Sequence, residues 1–289
     1  MRIEKKSDVR TASGVKRQPS SILNPQSSIR ATGPIGVFDS GVGGLTVFRE
    51  IARVLPHQPL VYLGDCARVP YGTKSPETVT RYSLEAARHL LARDIRMLVV
   101  ACNTATSAAL PTLQEQLGIP VIGVVEPGAR AAVERTKGRI GVIATEGTVR
   151  ARAYTKAIKR LKADVDVIES AAPLFVPLAE EGWANTHVAR EVAEIYLEPL
   201  IDAGIDTLVL GCTHYPILRG TIEQVVGDAV RIVDSAETTA LAVRDALGEQ
   251  PANGEPVHHF LVTDATERFR RIAGDFLEQE IANLELVTL

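Results

Sequence analysis

Met97-Leu98-Val99-Val100-Ala101-Cys102 and Thr207-Leu208-Val209-Leu210-Gly211-Cys212 read as one pattern written twice, an apolar run that ends in a cysteine, at an offset of 110 residues. A short, fully apolar run is what a strand needs when helices cover both faces of its sheet. The repetition extends on either side. Ile35-Gly36-Val37-Phe38 recurs as Ile140-Gly141-Val142-Ile143 at an offset of 105. Pro120-Val121-Ile122-Gly123-Val124 is followed at an offset of 109 by Ala229-Val230-Arg231-Ile232-Val233. Three strands in one order at nearly one spacing predict two similar α/β halves. Sites in open α/β sheets form at strand ends, so two facing halves would set Cys102 and Cys212 across one cleft.

The surrounding sequence alternates in the same way. Strands are expected at Ile35–Phe38, Leu60–Leu63, Met97–Ala101, Val121–Val125, Ile140–Ile143, Asp166–Glu169, Thr207–Leu210 and Ile232–Asp234. Helical patterns lie between them at Ser75–Asp94, Pro111–Leu117, Thr148–Ala163 and Ala189–Ala203. Strand–helix alternation argues for parallel sheets. The expected division is a first α/β domain from 34–128 plus 235–289, a second from 129–234, and an extension at 1–33.

Composition agrees with a globular chain. Of 289 residues, 45% are hydrophobic and 23% charged, and no run of about 18 apolar residues offers a membrane span. The net charge of −3 gives no global basic field of the kind that draws nucleic acid. Three cysteines do not make a disulfide scaffold and fit a reducing, cytoplasmic setting. Residues 1–30 differ, with seven basic residues against Glu4 and Asp8, six serines and few apolar residues. Such a segment is expected to stay disordered, and it lacks the apolar stretch of a secretory signal.

Both cysteines sit among groups that can do chemistry. Cys102 is followed by Asn103, Thr104 and Thr106, which open a helix whose terminal amides favour an anion and lower a thiol pKa. Cys212 lies in Gly211-Cys212-Thr213-His214-Tyr215-Pro216, where His214 can take or supply the thiol proton. A buried cysteine after a strand is often just a small apolar residue; two in matched contexts argue otherwise. Zinc would need more ligands than Cys-x-His supplies, so no metal is expected. One thiol on each face of a substrate, one removing a proton and the other giving one, is the arrangement that inversion at carbon requires without a cofactor.

Asp39-Ser40-Gly41-Val42-Gly43-Gly44 is a Gly-rich turn from strand to helix, a place for an anion on backbone amides. It departs from GxGxxG at Thr46, and no Gly-Lys-Ser/Thr occurs, so nucleotide binding has weak support. Asp39 would repel a phosphate. It suits an ammonium group, a base that needs orienting, or a plain helix cap. Pro70-Tyr71-Gly72 reads as a rigid turn at the same sheet edge. Cys66 has no counterpart in the second half and reads as structural. Glu180 and Glu181 follow the apolar segment Phe175-Val176-Pro177-Leu178.

Taken together, these residues resemble the glutamate racemases of the aspartate/glutamate racemase superfamily. The resemblance rests on Asp39-Ser40-Gly41-Val42-Gly43-Gly44, Gly64-Asp65 with Pro70-Tyr71-Gly72, Cys102-Asn103-Thr104, Pro127-Gly128-Ala129 and Gly211-Cys212-Thr213-His214-Tyr215-Pro216, in order over residues 34–289. It implies two pseudo-symmetric α/β domains with the active site between them, no cofactor, and Cys102 and Cys212 as acid/base thiols. Asp39 and His214 would assist Cys102 and Cys212 respectively. Glutamate would be held by Asp39, Ser40, Tyr71, Gly72, Asn103, Thr104, Thr213 and His214, with Thr145 and Thr148 as further polar lining. A family glutamate maps to Glu180, with Glu181 beside it as an alternative. The family also implies D-glutamate supply for peptidoglycan synthesis, and control by a peptidoglycan precursor in members with such extensions.

Other readings stay open at this level: an aspartate or related racemase using the same thiols, or a non-catalytic amino-acid-binding protein. A redox or metal-binding protein is a third. The apolar helices fit internal packing or a homodimer face equally.

Overall fold

The computed structural model describes residues 32–248, 255–264 and 266–289. The expected basic extension therefore lies outside the described residues, apart from Thr32 and Gly33.

Two sheets form. The first contains β1 (Ile35–Asp39), β2 (Leu60–Gly64), β3 (Met97–Val100) and β4 (Val121–Gly123), joined late in the chain by β9 (His259–Val262) and β10 (Leu284–Leu286). The second contains β5 (Arg139–Ala144), β6 (Asp166–Ala171), β7 (Thr207–Gly211) and β8 (Arg231–Asp234). Their orders are β10-β9-β2-β1-β3-β4 and β6-β5-β7-β8, and every pairing is parallel. Without the two late strands, both sheets have the order second, first, third, fourth. The sequence echo is thus a structural repeat, and the fold is two parallel-sheet α/β domains. Equivalent glycines show how alike the halves are. A Cβ on Gly36 of β1 would stand 2.7 Å from Ile95 Cδ1, and one on Gly141 of β5 would stand 2.8 Å from Ile205 Cδ1. In each half the isoleucine just before the third strand fills the space a side chain on that glycine would take.

Helices cover both faces of both sheets, which is why the central strands are apolar except at their ends. The outer face of the first sheet is packed by α2 (Pro76–Leu91) and α3 (Asn103–Gln116), through Val79, Leu90, Ala109 and Leu113. The outer face of the second carries α4 (Val125–Arg135) and α6 (Ala153–Leu161), through Ala129, Ala132, Ala157 and Ile158. A single apolar core spans the rest. It runs from Val47, Phe48 and Ile51 of α1 (Leu45–Val54) through Ala240 and Val243 of α10 (Ser235–Leu247) to Leu208 and Leu210 of β7. Among the described residues no helix is long and apolar enough to cross a membrane.

The structure adjusts several expected boundaries. The strand expected over Val121–Val125 stops at Gly123, and Val125 already belongs to α4, whose first turn accepts Pro127 because an amide there has no helical partner. The helix expected from Pro111 begins at Asn103 and runs through Pro111. The helical stretch Thr148–Ala163 is two helices, α5 (Glu146–Ala151) and α6, separated by Arg152 in the left-handed region at φ 52°. Strands β9 and β10 are absent from the sequence reading.

Candidate active site

In each sheet the chain leaves the first strand on one side and returns on the other. That reversal opens a crevice beyond the carboxyl ends of the first and third strands. In the first domain those ends are Asp39-Ser40 and Cys102-Asn103-Thr104; in the second they are Thr145 and Cys212-Thr213-His214. The two crevices face each other across one cavity of about 230 Å³. Ser40, Tyr71, Gly72, Cys102, Asn103, Thr104, Thr145, Glu180, Cys212, Thr213 and His214 all line it. Asp39 and Thr148 do not; they stand one layer back. Thr148 lies 3.0 Å, oxygen to oxygen, from Thr145 Oγ1, and its amide donates to the same hydroxyl.

Cys102 caps α3 with its sulfur. The Ala105 amide donates to Sγ at 3.4 Å, and the thiol donates to Ser40 Oγ at 3.4 Å. The sequence leads one to expect a lowered thiol pKa at this helix end. Burial and the nearby Asp39 carboxylate outweigh the amide and hydroxyl and push the thiol up to about 12. Asp39 is itself buried, which raises its carboxyl against the opposing pull of His214 and the loop amides. The Gly41 amide of the Gly-rich turn donates to Asp39 Oδ2 at 2.9 Å, so one donor of that turn serves its own aspartate. Gly44 makes room for it, since a Cβ there would stand 2.4 Å from Asp39 Cβ.

Cys212 has different neighbours. Its sulfur lies 3.8 Å from His214 Nδ1, and His214 Nε2 lies 3.0 Å from Glu180 Oε1. Arg268 of α11 (Thr266–Leu277) donates to Glu180 Oε2 at 2.8 Å. Burial alone would drive His214 towards its neutral form. The sulfur and the Glu180 carboxylate prevail and raise its pKa to about 10. Glu180 is held below the usual carboxylate range because His214 and Arg268 overcome its own desolvation. Between the two adjacent glutamates, Glu180 at the end of α7 (Phe175–Glu180) reaches the cavity. Glu181 is 53% exposed, does not line the cavity, and its Oε1 lies 3.5 Å from the Arg268 Nη2 that binds Glu180.

The rim joins the domains. Thr104 and Thr145 hydroxyls meet at 2.8 Å across the cleft. Thr46 Oγ1 of α1 donates to the Thr213 carbonyl at 2.9 Å. Gly72 allows the close approach of Thr145, whose Cβ would lie 3.1 Å from a Cβ at that position. Tyr71 donates to Asp65 Oδ2, and the same buried carboxylate accepts from Arg68 Nε at 2.6 Å and Thr263 Oγ1 at 3.0 Å. That network fixes the Pro70-Tyr71-Gly72 turn. Cys66 is half-buried and its thiol is pushed up to about 12 by burial; it does not line the cavity.

Sequence reasoning misses Arg268, Asp65 as the anchor of Tyr71, and the apolar lining residues Val69 and Val176. Arg268 comes from a helix 88 residues away from Glu180, so no local pattern announces it.

Residues 35–243 match the model of the Asp/Glu/Hydantoin racemase family. The glutamate racemase of Geobacter metallireducens is 55% identical over 260 residues, 88% of this chain and 96% of that protein. The crystal structure of the glutamate racemase isoform RacE1 from Bacillus anthracis superposes with a TM-score of 0.86 at 42% identity, covering 90% of this chain and 99% of that one. The glutamate racemase of Francisella tularensis, solved in complex with D-glutamate, gives 0.82 at 35% identity, over 89% and 97%. On this match the chain belongs to the Asp/Glu/hydantoin racemase family.

Proposed function

We propose that this chain is a glutamate racemase that interconverts L- and D-glutamate by proton transfer between two cysteines, without a cofactor. The observation that carries the proposal is the pair of buried thiols, Cys102 and Cys212, that come from equivalent strand ends of two facing domains and line one small cavity. Glutamate lies with its Cα between the sulfurs. Cys212 as thiolate, with the His214 imidazolium beside it, removes the α-proton. The electron pair of the broken C–H bond passes into the α-carboxylate as an enolate. It returns to Cα as the Cys102 thiol delivers its proton to the opposite face. The other enantiomer follows the same path in reverse.

The two thiols are supported differently, in keeping with these roles. Cys102 keeps its proton at neutral pH because burial and Asp39 disfavour its thiolate. His214 keeps its own proton because the Cys212 sulfur on one ring nitrogen and Glu180 on the other outweigh its burial. Ser40, Asn103 and Thr104 offer donors to the α-carboxylate, whose charge grows as the enolate forms. Closure of the two domains on the substrate excludes water and strengthens each contact. The product would supply D-glutamate for peptidoglycan synthesis. Control by a peptidoglycan precursor through residues 1–33 belongs to the same reading. Activity with and without the precursor, in full-length protein and in a chain lacking those residues, tests it.

The primary test is incubation with L-glutamate in D₂O with no added cofactor or metal, following the α-proton by NMR and the optical rotation together. Deuterium entry with loss of rotation is expected. Cys102→Ser and Cys212→Ser should each abolish inversion, and full racemisation by either variant would overturn the two-base mechanism.

A further inference from the structure

Pro127-Gly128-Ala129 belongs to the family pattern yet does not line the cavity. What it does is make a slot. A Cβ on Gly128 of α4 would stand 3.2 Å from Tyr154 Cε1, and one on Gly211, the residue before Cys212, would stand 3.0 Å from Tyr154 Cε2. The fully buried Tyr154 ring of α6 is thus held between two glycines. Its hydroxyl reaches across the domain boundary and donates to Asn103 Oδ1 at 2.8 Å. Asn103 is buried and lines the cavity. With Oδ1 taken, its Nδ2 has no acceptor among the described residues. A buried donor left unpaired is costly, and the cavity is where an acceptor can arrive.

We propose that Tyr154 is a positioning residue: clamped by Gly128 and Gly211, it fixes the Asn103 carboxamide so that Nδ2 is reserved for a substrate carboxylate. This rests on the racemase reading above. An asparagine amide is nearly symmetric in shape, so only its hydrogen-bond partners decide which end carries the donor. Once Tyr154 occupies Oδ1, a carboxylate meets N–H rather than C=O. The donor is then in place before the substrate enters.

The test is a double-mutant cycle on full-length protein with Tyr154→Phe and Asn103→Ala, measuring kcat and KM for both enantiomers and glutamate binding by calorimetry. The carboxylate is anionic in the bound substrate and gains charge in the enolate, so the loss falls on binding and turnover together: Tyr154→Phe raises KM and Kd about tenfold and lowers kcat about threefold or more. In the Asn103→Ala background the same substitution adds nothing, because the residue acts through that amide. Gly128→Ala, which presses on the ring without removing the hydroxyl, raises KM in the same sense. Unchanged KM in Tyr154→Phe, an equal penalty with and without Asn103, or a loss confined to kcat would overturn the proposal. The wild type decides the racemase reading separately. If it neither binds nor turns over glutamate, both readings fall; if it does both and the cycle shows no coupling, only this one falls.

Discussion

Replacing Glu180 by glutamine keeps the shape of the contact with His214 and removes its charge. The His214 pKa of about 10 depends on Cys212 and Glu180 overcoming burial. A hydrogen bond to a charged partner contributes roughly 1.5–3 kcal/mol. At about 1.4 kcal/mol per pKa unit, losing the carboxylate lowers His214 by roughly 1–2 units. The sign follows directly. In the wild type the imidazolium persists to high pH and is lost on the alkaline side. In Glu180→Gln the alkaline limb moves down to roughly pH 8–9, while at pH 7 most of the imidazole is still protonated. The assay is kcat/KM against pH from 6 to 11 for both proteins, with racemisation followed by circular dichroism. The substrate's own ammonium titrates identically in the two profiles, so the difference belongs to the protein. The apparent values describe the coupled Cys212–His214 pair rather than either group alone. A uniform loss of rate with an unmoved alkaline limb would refute the electrostatic argument and leave Glu180 a packing residue.

Other outcomes follow from the same geometry. Arg268→Gln removes a cation that holds the Glu180 carboxyl low, so the acid limb of the pH–rate profile should shift to higher pH while the alkaline limb scarcely moves; parallel pH profiles check it. Gly43→Ala would put a Cβ 2.4 Å from both His214 Nδ1 and Thr213 Oγ1. Overpacking of this kind costs about 1–3 kcal/mol, and turnover should fall at least tenfold as His214 is displaced from Cys212. Asp206 accepts from Thr136 Oγ1 at 2.6 Å, Thr207 Oγ1 at 2.8 Å and the Arg139 amide at 3.0 Å. Desolvation raises its pKa, but these donors prevail and lower it. Its contribution to stability is therefore present above the unfolded aspartate pKa and is lost as pH falls through the lower folded value. Asp206→Asn should lower Tm by a few degrees at pH 7 and by less at pH 3, as thermal unfolding followed by circular dichroism at the two pH values would reveal.

Strands β1, β3, β5 and β7 were legible because they are buried on both faces and apolar between their end residues. β10 failed that criterion. Leu284–Leu286 is a three-residue edge strand whose last two residues are exposed, too short and too polar outside to stand apart from a loop. The Asn103 start of α3 was hidden by its composition, since Asn and Thr favour caps and turns over helix interiors. Here Cys102 supplies the cap instead. Cys102 and Cys212 could be singled out because local order carries them: each follows an apolar strand and precedes polar residues. The groups around them were only half legible. His214 is two residues from Cys212, but Arg268 and Tyr154 arrive through tertiary contacts that no spacing encodes. At Cys102 a helix end that favours a lowered thiol is visible in sequence, whereas the depth of burial that raises it is not.

Cys212 has a histidine, a glutamate and an arginine behind it, whereas Cys102 has a serine, a backbone amide and a buried aspartate. Mirror-image substrates in water have equal free energy, so the equilibrium constant between them is one, and kcat/KM must be equal in the two directions however unequal the equipment on the two sides. The lopsided site therefore cannot favour one product. Its asymmetry can appear only in how that shared ratio is divided between turnover and saturation for each enantiomer, set by which protonation form of the empty enzyme accumulates while it waits. Damage on either side lowers kcat/KM alike in both directions.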